Sequence, residues 1–494
     1  MKRFLAIVVF LILTPFALRG QSFNEYKERA SKEFSAFKEK SRQDFSAYRN
    51  RKQAEMEDYI RQTWEKFYGN NPLKTPVKED KDLPPVVMPE EDRGSLPEDR
   101  PVPVVDVIPP LPPCPDPQPL SPIEEVPAVV PSLTVDLYGT PCKVRFDASA
   151  GPRLASGAEE DVASMWMTLC GQDYLNLYFD CQHIRETMGL CDWAYVGLTE
   201  AISEAAYGKS NESTVLQAVI LIQSGFRVLL SRDEDGRFHT LMATDADVYE
   251  RPFWIIGGVK YYLFDDTHPK SLYTMAKTHP ELQPIRLYIS GRNAFASSPS
   301  APRTLSSRDN PQIIAKVSTN TNLIQFYSTY PESFANNDHF SRWRFYAMAS
   351  LSDNAREGLY PSLQEAIMGK SQLEAANLLL NFVQTAFKYE YDDKVWGRDR
   401  AFFPDETLYY PYSDCEDRSI LFSRLVRDLL KLDVVLVFYP GHLYTAVQFT
   451  ENVSGDYLTL DGFKYVVCDP TYIHAPVGKT MPGMNNAEAV AIKL

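Results

Sequence analysis

The chain has 494 residues, a formal charge of −14 and a pI near 5.1, with 44% hydrophobic and 23% charged residues. That length provides two or three domains with sizeable cores. The acidic balance disfavours a nucleic-acid binder or an anionic-membrane binder, each of which needs a basic face.

The first residues have the pattern of an export signal. Lys2 and Arg3 precede an apolar run from Phe4 to Leu18, and Gly20 stands before an expected mature start at Gln21. The run is short for a spanning helix, so residues 1–20 are expected to be a cleaved signal peptide, with no membrane span after cleavage. Export leads to an oxidising compartment, where Cys170, Cys181 and Cys191 are close enough in sequence to pair. The total of seven cysteines leaves at least one thiol unpaired within a monomer.

Residues 21–70 are expected to form a long amphipathic helix. Phe23, Phe34, Phe45, Met56 and Phe67 recur every eleven positions, with Tyr26, Phe37, Tyr48 and Tyr59 as a second row. Eleven residues make three helical turns, so both rows share one stripe. Such a stripe serves either self-association or a helical partner through residues 22–68, or packs back on its own domain. Residues 71–131 are rich in proline and acids and are expected to be an extended linker. SLTVDLYGTPCKVRF (132–146) then predicts two strands around a Gly-Thr-Pro turn. A Ser/Pro/Asn-rich stretch at 290–312 marks a boundary between mixed segments at 132–293 and 313–494.

The two mixed segments resemble each other. GGVKYYLFDDT (257–267) aligns with DGFKYVVCDPT (461–471), matching Lys260 to Lys464, Tyr261 to Tyr465 and Asp265 to Asp469. Upstream, His239 falls where His442 falls, given a three-residue difference in loop length. The order helix, strand, histidine strand, aspartate occurs twice, which predicts a duplicated α+β unit.

In the second segment, Ser413 and Glu416 have capping-box spacing ahead of Ile420, Leu421, Leu425 and Leu429. Cys415 is therefore expected in the first turn of a helix, where free N–H groups favour a thiolate and can donate to an oxyanion. Glu416 and Asp417 oppose ionisation of the thiol, so a base is needed. His442, following Pro440-Gly441 on a strand, is the candidate base, and Asp469 is the carboxylate expected to hold its Nδ1–H. Cys468 points to the opposite face and reads as core. Structural zinc ligands come in close pairs such as C-x-x-C, and the sequence has none, so neither a metal nor another cofactor is expected.

FFPDETLYYPYSDCEDRSILFSRLVRDLL (402–430), YPGHLYTAV (439–447) and CDPTY (468–472) together resemble the transglutaminase-like superfamily. The resemblance covers about 313–494 and is nearest to exported transglutaminase-like proteins of Bacteroidetes-type bacteria. It implies a papain-like α+β core with Cys415 as nucleophile, His442 as base and Asp469 as orienter. It also implies a periplasmic or cell-surface location in a Gram-negative bacterium. Trp396, Tyr410 or Tyr412 would complete the oxyanion site.

The predicted fold class is thus α+β, two copies of a transglutaminase-like unit after a long helix and a proline-rich linker. In the first copy Lys209 or Ser210 aligns with Cys415, which predicts a degenerate, non-catalytic domain. Cys191 is a weak substitute nucleophile. The expected function is cysteine-dependent acyl transfer on a peptide or protein substrate, through a thioester and ending in hydrolysis more than cross-linking. The alternative is a non-catalytic binding or scaffold protein on the same duplicated fold.

Overall fold

The computed structural model describes residues 23–76, 84–93, 97–112, 114–484 and 488–494. The expected signal peptide lies outside the described residues. Chain contacts divide the molecule after Ala54, so everything from Glu55 onward is one compact unit.

Helix α1 spans Phe23–Arg61. Phe34 and Phe37 on it are 67% and 71% exposed, whereas Met56 and Ile60 near its end are fully buried in the main core. The helix is shorter than expected. Phe67, the fifth member of the aromatic row, belongs to strand β1 (Glu65–Tyr68), where it pairs with Leu272. Sheet pairing there overrides the helical period.

The described parts of the proline-rich segment pack against the protein in place of the expected extended linker. They supply β2 (Arg100–Pro101) and β3 (Val104–Ile108), and bury Met88, Val102, Ile108 and Leu120. Both strands lie at the edges of the second large sheet, where a missing proline N–H costs nothing.

The first half begins with a hairpin, β4 (Ser132–Leu137) and β5 (Thr140–Arg145). Its turn is Tyr138-Gly139, both at positive φ, one residue earlier than the expected Gly-Thr-Pro turn. Four helices follow: α2 (Glu159–Leu169), α3 (Leu175–Met188), α4 (Asp192–Tyr207) and α5 (Asn211–Gln223). Strands β6 (Val228–Arg232), β7 (Phe238–Ala243), β8 (Asp247–Val248), β9 (Phe253–Ile256), β10 (Val259–Leu263) and β11 (Ser271–Thr274) complete it.

The second half opens with the hairpin β12 (Arg303–Ser306) and β13 (Ile314–Val317), then α6 (Thr321–Tyr327) and β14 (Ser333–Phe334), which pairs with β8 across the halves. After these come α7 (Arg342–Ala347), α8 (Asp353–Ile367), α9 (Gln372–Ala386), β15 (Lys388–Tyr389), α10 (Asp392–Val395), α11 (Pro404–Tyr409) and β16 (Tyr412–Ser413). Helix α12 (Cys415–Leu425) leads into β17 (Asp433–Tyr439), β18 (His442–Gln448), β19 (Asp456–Leu460), β20 (Phe463–Cys468) and β21 (Ala489–Lys493).

The large sheets run β1-β11-β6-β7-β10-β9 and β2-β19-β20-β18-β17-β21-β3. Five adjacent strands have one order in both: β11-β6-β7-β10-β9 and β21-β17-β18-β20-β19. Each is preceded by a capped helix, α5 or α12, packed on the histidine-bearing strand. Buried α12 puts Ile420, Leu421 and Leu425 into cores and packs on β18, with Ser419 bonded to Leu443 near the start of that strand. None of the helices described is long and apolar enough to cross a membrane.

Candidate active site

Cys415 is the first residue of α12, so its expected place at a helix tip is met. The cap differs from expectation. Asp414 is the N-cap residue and Asp417 completes the capping box, in place of Ser413 and Glu416. An aspartate cap closes the N–H of Asp417 through its own carboxylate, and Asp417 returns the bond to Asp414 N at 3.2 Å. Burial and the neighbouring Asp392 and Glu416 hold the Asp417 carboxyl far above the ordinary range.

His442 opens β18 after the two-residue turn Pro440-Gly441, with Gly441 at φ +79°. Its Nε2 lies 2.9 Å from Asp469 Oδ2. The carboxylate contact is thus at Nε2, not the expected Nδ1. Nδ1 is buried and has no hydrogen-bond partner among the described protein groups. A buried ring nitrogen left unsatisfied is costly, so one that persists calls for a chemical reason.

Asp469 is held from several sides. Its Oδ1 accepts from Thr471 N at 2.8 Å and Tyr472 N at 3.2 Å. The buried Gln384 amide on α9 donates to the carbonyls of Asp469, Tyr472 and Ala475, fixing the loop that carries the aspartate. Ser419, one helical turn after Cys415, donates to Leu443 O at 2.8 Å and ties α12 to β18 beside His442. The Tyr444 ring stacks on His442, centroids 5.8 Å apart. Cys468 is fully buried, as expected of a core residue.

The thiol makes a contact that spacing did not suggest. Cys415 Sγ lies 3.0 Å from Glu416 Oε2, both residues being almost fully buried. An ionised carboxylate accepting S–H favours the thiol and opposes the thiolate. Nδ1 of His442 makes no hydrogen bond to the thiol. The structure therefore joins two of the three candidates and places the third at the tip of the helix packed on the same strand. Cys415 is 2% exposed, and His442 and Asp469 are equally covered.

Sequence reasoning missed Glu416 as the partner of the thiol, and Gln384 altogether. The run Asp414-Cys415-Glu416-Asp417 signalled the first. Nothing local marks Gln384, whose role depends on a loop 85 residues away.

The corresponding first-half site differs. Ser210 caps α5, so Asn211 occupies the position of Cys415, one residue beyond the expected Lys209 or Ser210. His239 Nδ1 lies 2.7 Å from Asp265 Oδ2, and its Nε2 lies 3.2 Å from Asp233 Oδ2. Both ring nitrogens are occupied. Asp233 comes from the β6–β7 loop, whose five residues replace the two-residue turn before His442. A cavity of about 1010 Å³ opens here, walled by Trp193, Glu200, Asn211, His239 and Asp265 and by Tyr330 from the second half. Cys191, the weak substitute nucleophile, is buried with its thiol pushed up to about 12 by desolvation.

None of the seven cysteines forms a disulfide, including Cys170, Cys181 and Cys191. Among the described residues, three sets bring cation-ligand atoms within 4.8 Å of one another: Asp414, Cys415 and Glu416; Asp392, Asp414 and Asp417; Asp392, Asp399 and Glu416. Asp417 and Asp392 already accept backbone N–H groups from Phe402 and Arg400, which gives those two carboxylates a structural task. No family model matches the chain, and no curated protein does.

Proposed function

We propose that the second half is a transglutaminase-like cysteine enzyme that cleaves peptide or carboxamide bonds through a thioester, and that the first half is its degenerate copy. What carries the reading is His442, held by Asp469 through Nε2 while its buried Nδ1 stays open for a proton. Cys415 Sγ attacks the carbonyl, and Nδ1 accepts the thiol proton. N–H groups at the tip of α12 stabilise the oxyanion, and His442 then protonates the departing amine. Water resolves the thioester. The shared strand order and equivalent capped helices support the duplication. The leader-like first residues support export to the periplasm or cell surface.

On this reading the buried thiol is a closed state. Catalysis needs a movement that uncovers Cys415 and turns it from Glu416 to His442. A non-catalytic binding protein is the second reading, favoured by the 2% exposure of Cys415 and by the large cavity in the other half.

Alkylation with iodoacetamide separates the two, followed at Cys415 by mass spectrometry over pH. The enzyme reading expects labelling that depends on pH, slows about tenfold or more in His442→Ala and speeds up in Glu416→Gln. Labelling no faster than that of the buried Cys468, and indifferent to both substitutions, supports the binding protein instead.

A further inference from the structure

The exposed part of α1 carries charge as well as aromatic groups on the eleven-residue period. At about 98° per residue the two aromatic rows lie about 65° apart, with Ala30 and Ser41 on the line between them. Lys27, Lys38 and Arg49 form a basic row about 65° to one side of that line. Glu33, Asp44 and Glu55 form an acidic row about 65° to the other side. The stripe is thus bordered by opposite charges.

Those borders select a partner and a direction. In a parallel pair of identical helices, the left border of one faces the right border of the other, so lysines meet acids. In an antiparallel pair each border faces its own kind, and like charges meet. We infer that the helix from Phe23 to about Arg51 is a parallel self-association surface, its occupant being the same helix of a second copy of this chain. The stripe is open at Phe34 and Phe37, 67% and 71% exposed, and begins to close at Tyr48, which is half-buried with Arg51 and Lys52 over its ring. Lys27, Glu33 and Asp44 are exposed too, and the Arg29–Glu33 pair at 2.9 Å is a surface contact that a neighbour can replace. Ala30, exposed on the centre line, admits a close approach of the backbones. Beyond this stretch the stripe is spent within the chain, Met56 being fully buried and Glu55 bonded to His279.

The test uses the full chain in sedimentation equilibrium. A dimer is expected, and Phe34→Ser with Phe37→Ser should weaken it at least about tenfold while leaving the circular dichroism of the globular part unchanged. Lys27→Glu with Lys38→Glu should weaken it about tenfold, and adding Glu33→Lys and Asp44→Lys should restore it, because exchanging both borders keeps them complementary. Direction is read from Tyr26→Cys and Phe37→Cys made separately and oxidised. Both should cross-link to themselves in a parallel pair, whereas an antiparallel pair brings a position to its own copy at one point only. A monomer or trimer mass overturns the inference. So does self-cross-linking at just one position, or the charge exchange failing to restore the dimer.

Discussion

His239 and His442 stand on matching strands of two sheets that share one order of five adjacent strands, and each is fixed by an aspartate two residues before a threonine. The ring is held by Nδ1 in the first half and by Nε2 in the second. In the first half the other nitrogen is plugged by Asp233 from the longer hairpin; in the second, a two-residue turn carries no such group and Nδ1 stays open. The open cavity lies over the plugged histidine, and the covered site holds the thiol. The half with Asn211 at the helix tip is thus also the half with a loop carboxylate on its histidine. One strand order carries a histidine bonded at one ring nitrogen and a histidine bonded at both, and the preceding loops differ by three residues.

On the proposed function, the comparison is tested hardest by removing the Cys415 thiol. Cys415→Ala should lower peptide or amide hydrolysis at least about a thousandfold, while Asn211→Ala at the equivalent helix tip should leave it unchanged. Equal effects at the two positions would end the distinction between the halves.

The orienting aspartates give the next largest effect. Asp469→Asn should lower kcat by about 10³ to 10⁴ with KM little altered, since the tautomer presented at Nδ1 would change. Asp265→Asn should leave the rate within about twofold. A loss of rate from Asp265→Asn would mean that the first half works on substrate directly.

Stability against pH gives the smallest effect. Burial pushes Asp405 up to about 6 in the second half, beside Ser352, and Asp245 up to about 6 in the first. Between about pH 4 and 6 the folded protein keeps protons that the unfolded chain has released, so stability is greatest below that window and falls as pH rises through it. Asp405→Asn should remove up to about 3 kcal/mol of that decline, two units at 1.36 kcal/mol each. Asp245→Asn should remove a similar share, since burial raises it to about the same value. Denaturant titrations at pH 4 and 7 measure both.

Much was legible in the residues alone. The eleven-residue period predicts the long N-terminal helix, and capping residues before an apolar run predict a helix with Cys415 in its first turn. The recurring Asp-x-Thr after a hydrophobic strand, with a histidine upstream, points to the two aspartate–histidine contacts that form. These are local signals, set by periodicity, caps and turns. Where the reading slipped, it slipped by a residue or an atom: Asp414 caps in place of Ser413, Asn211 replaces Cys415, and Nε2 meets the aspartate.

Other features depend on groups far apart in sequence. The proline-rich segment became two edge strands because the second sheet offered exposed edges to pair with, and Phe67 left the helix because Leu272 was there to meet it. The choice of ring nitrogen, the contact of Cys415 with Glu416 and the covering of the site depend on how α12, β18 and the loop held by Gln384 press together. Residue types and spacing determined which groups were available for chemistry. Burial and hydrogen-bond competition, which exist only once distant segments meet, decided which of them were left open.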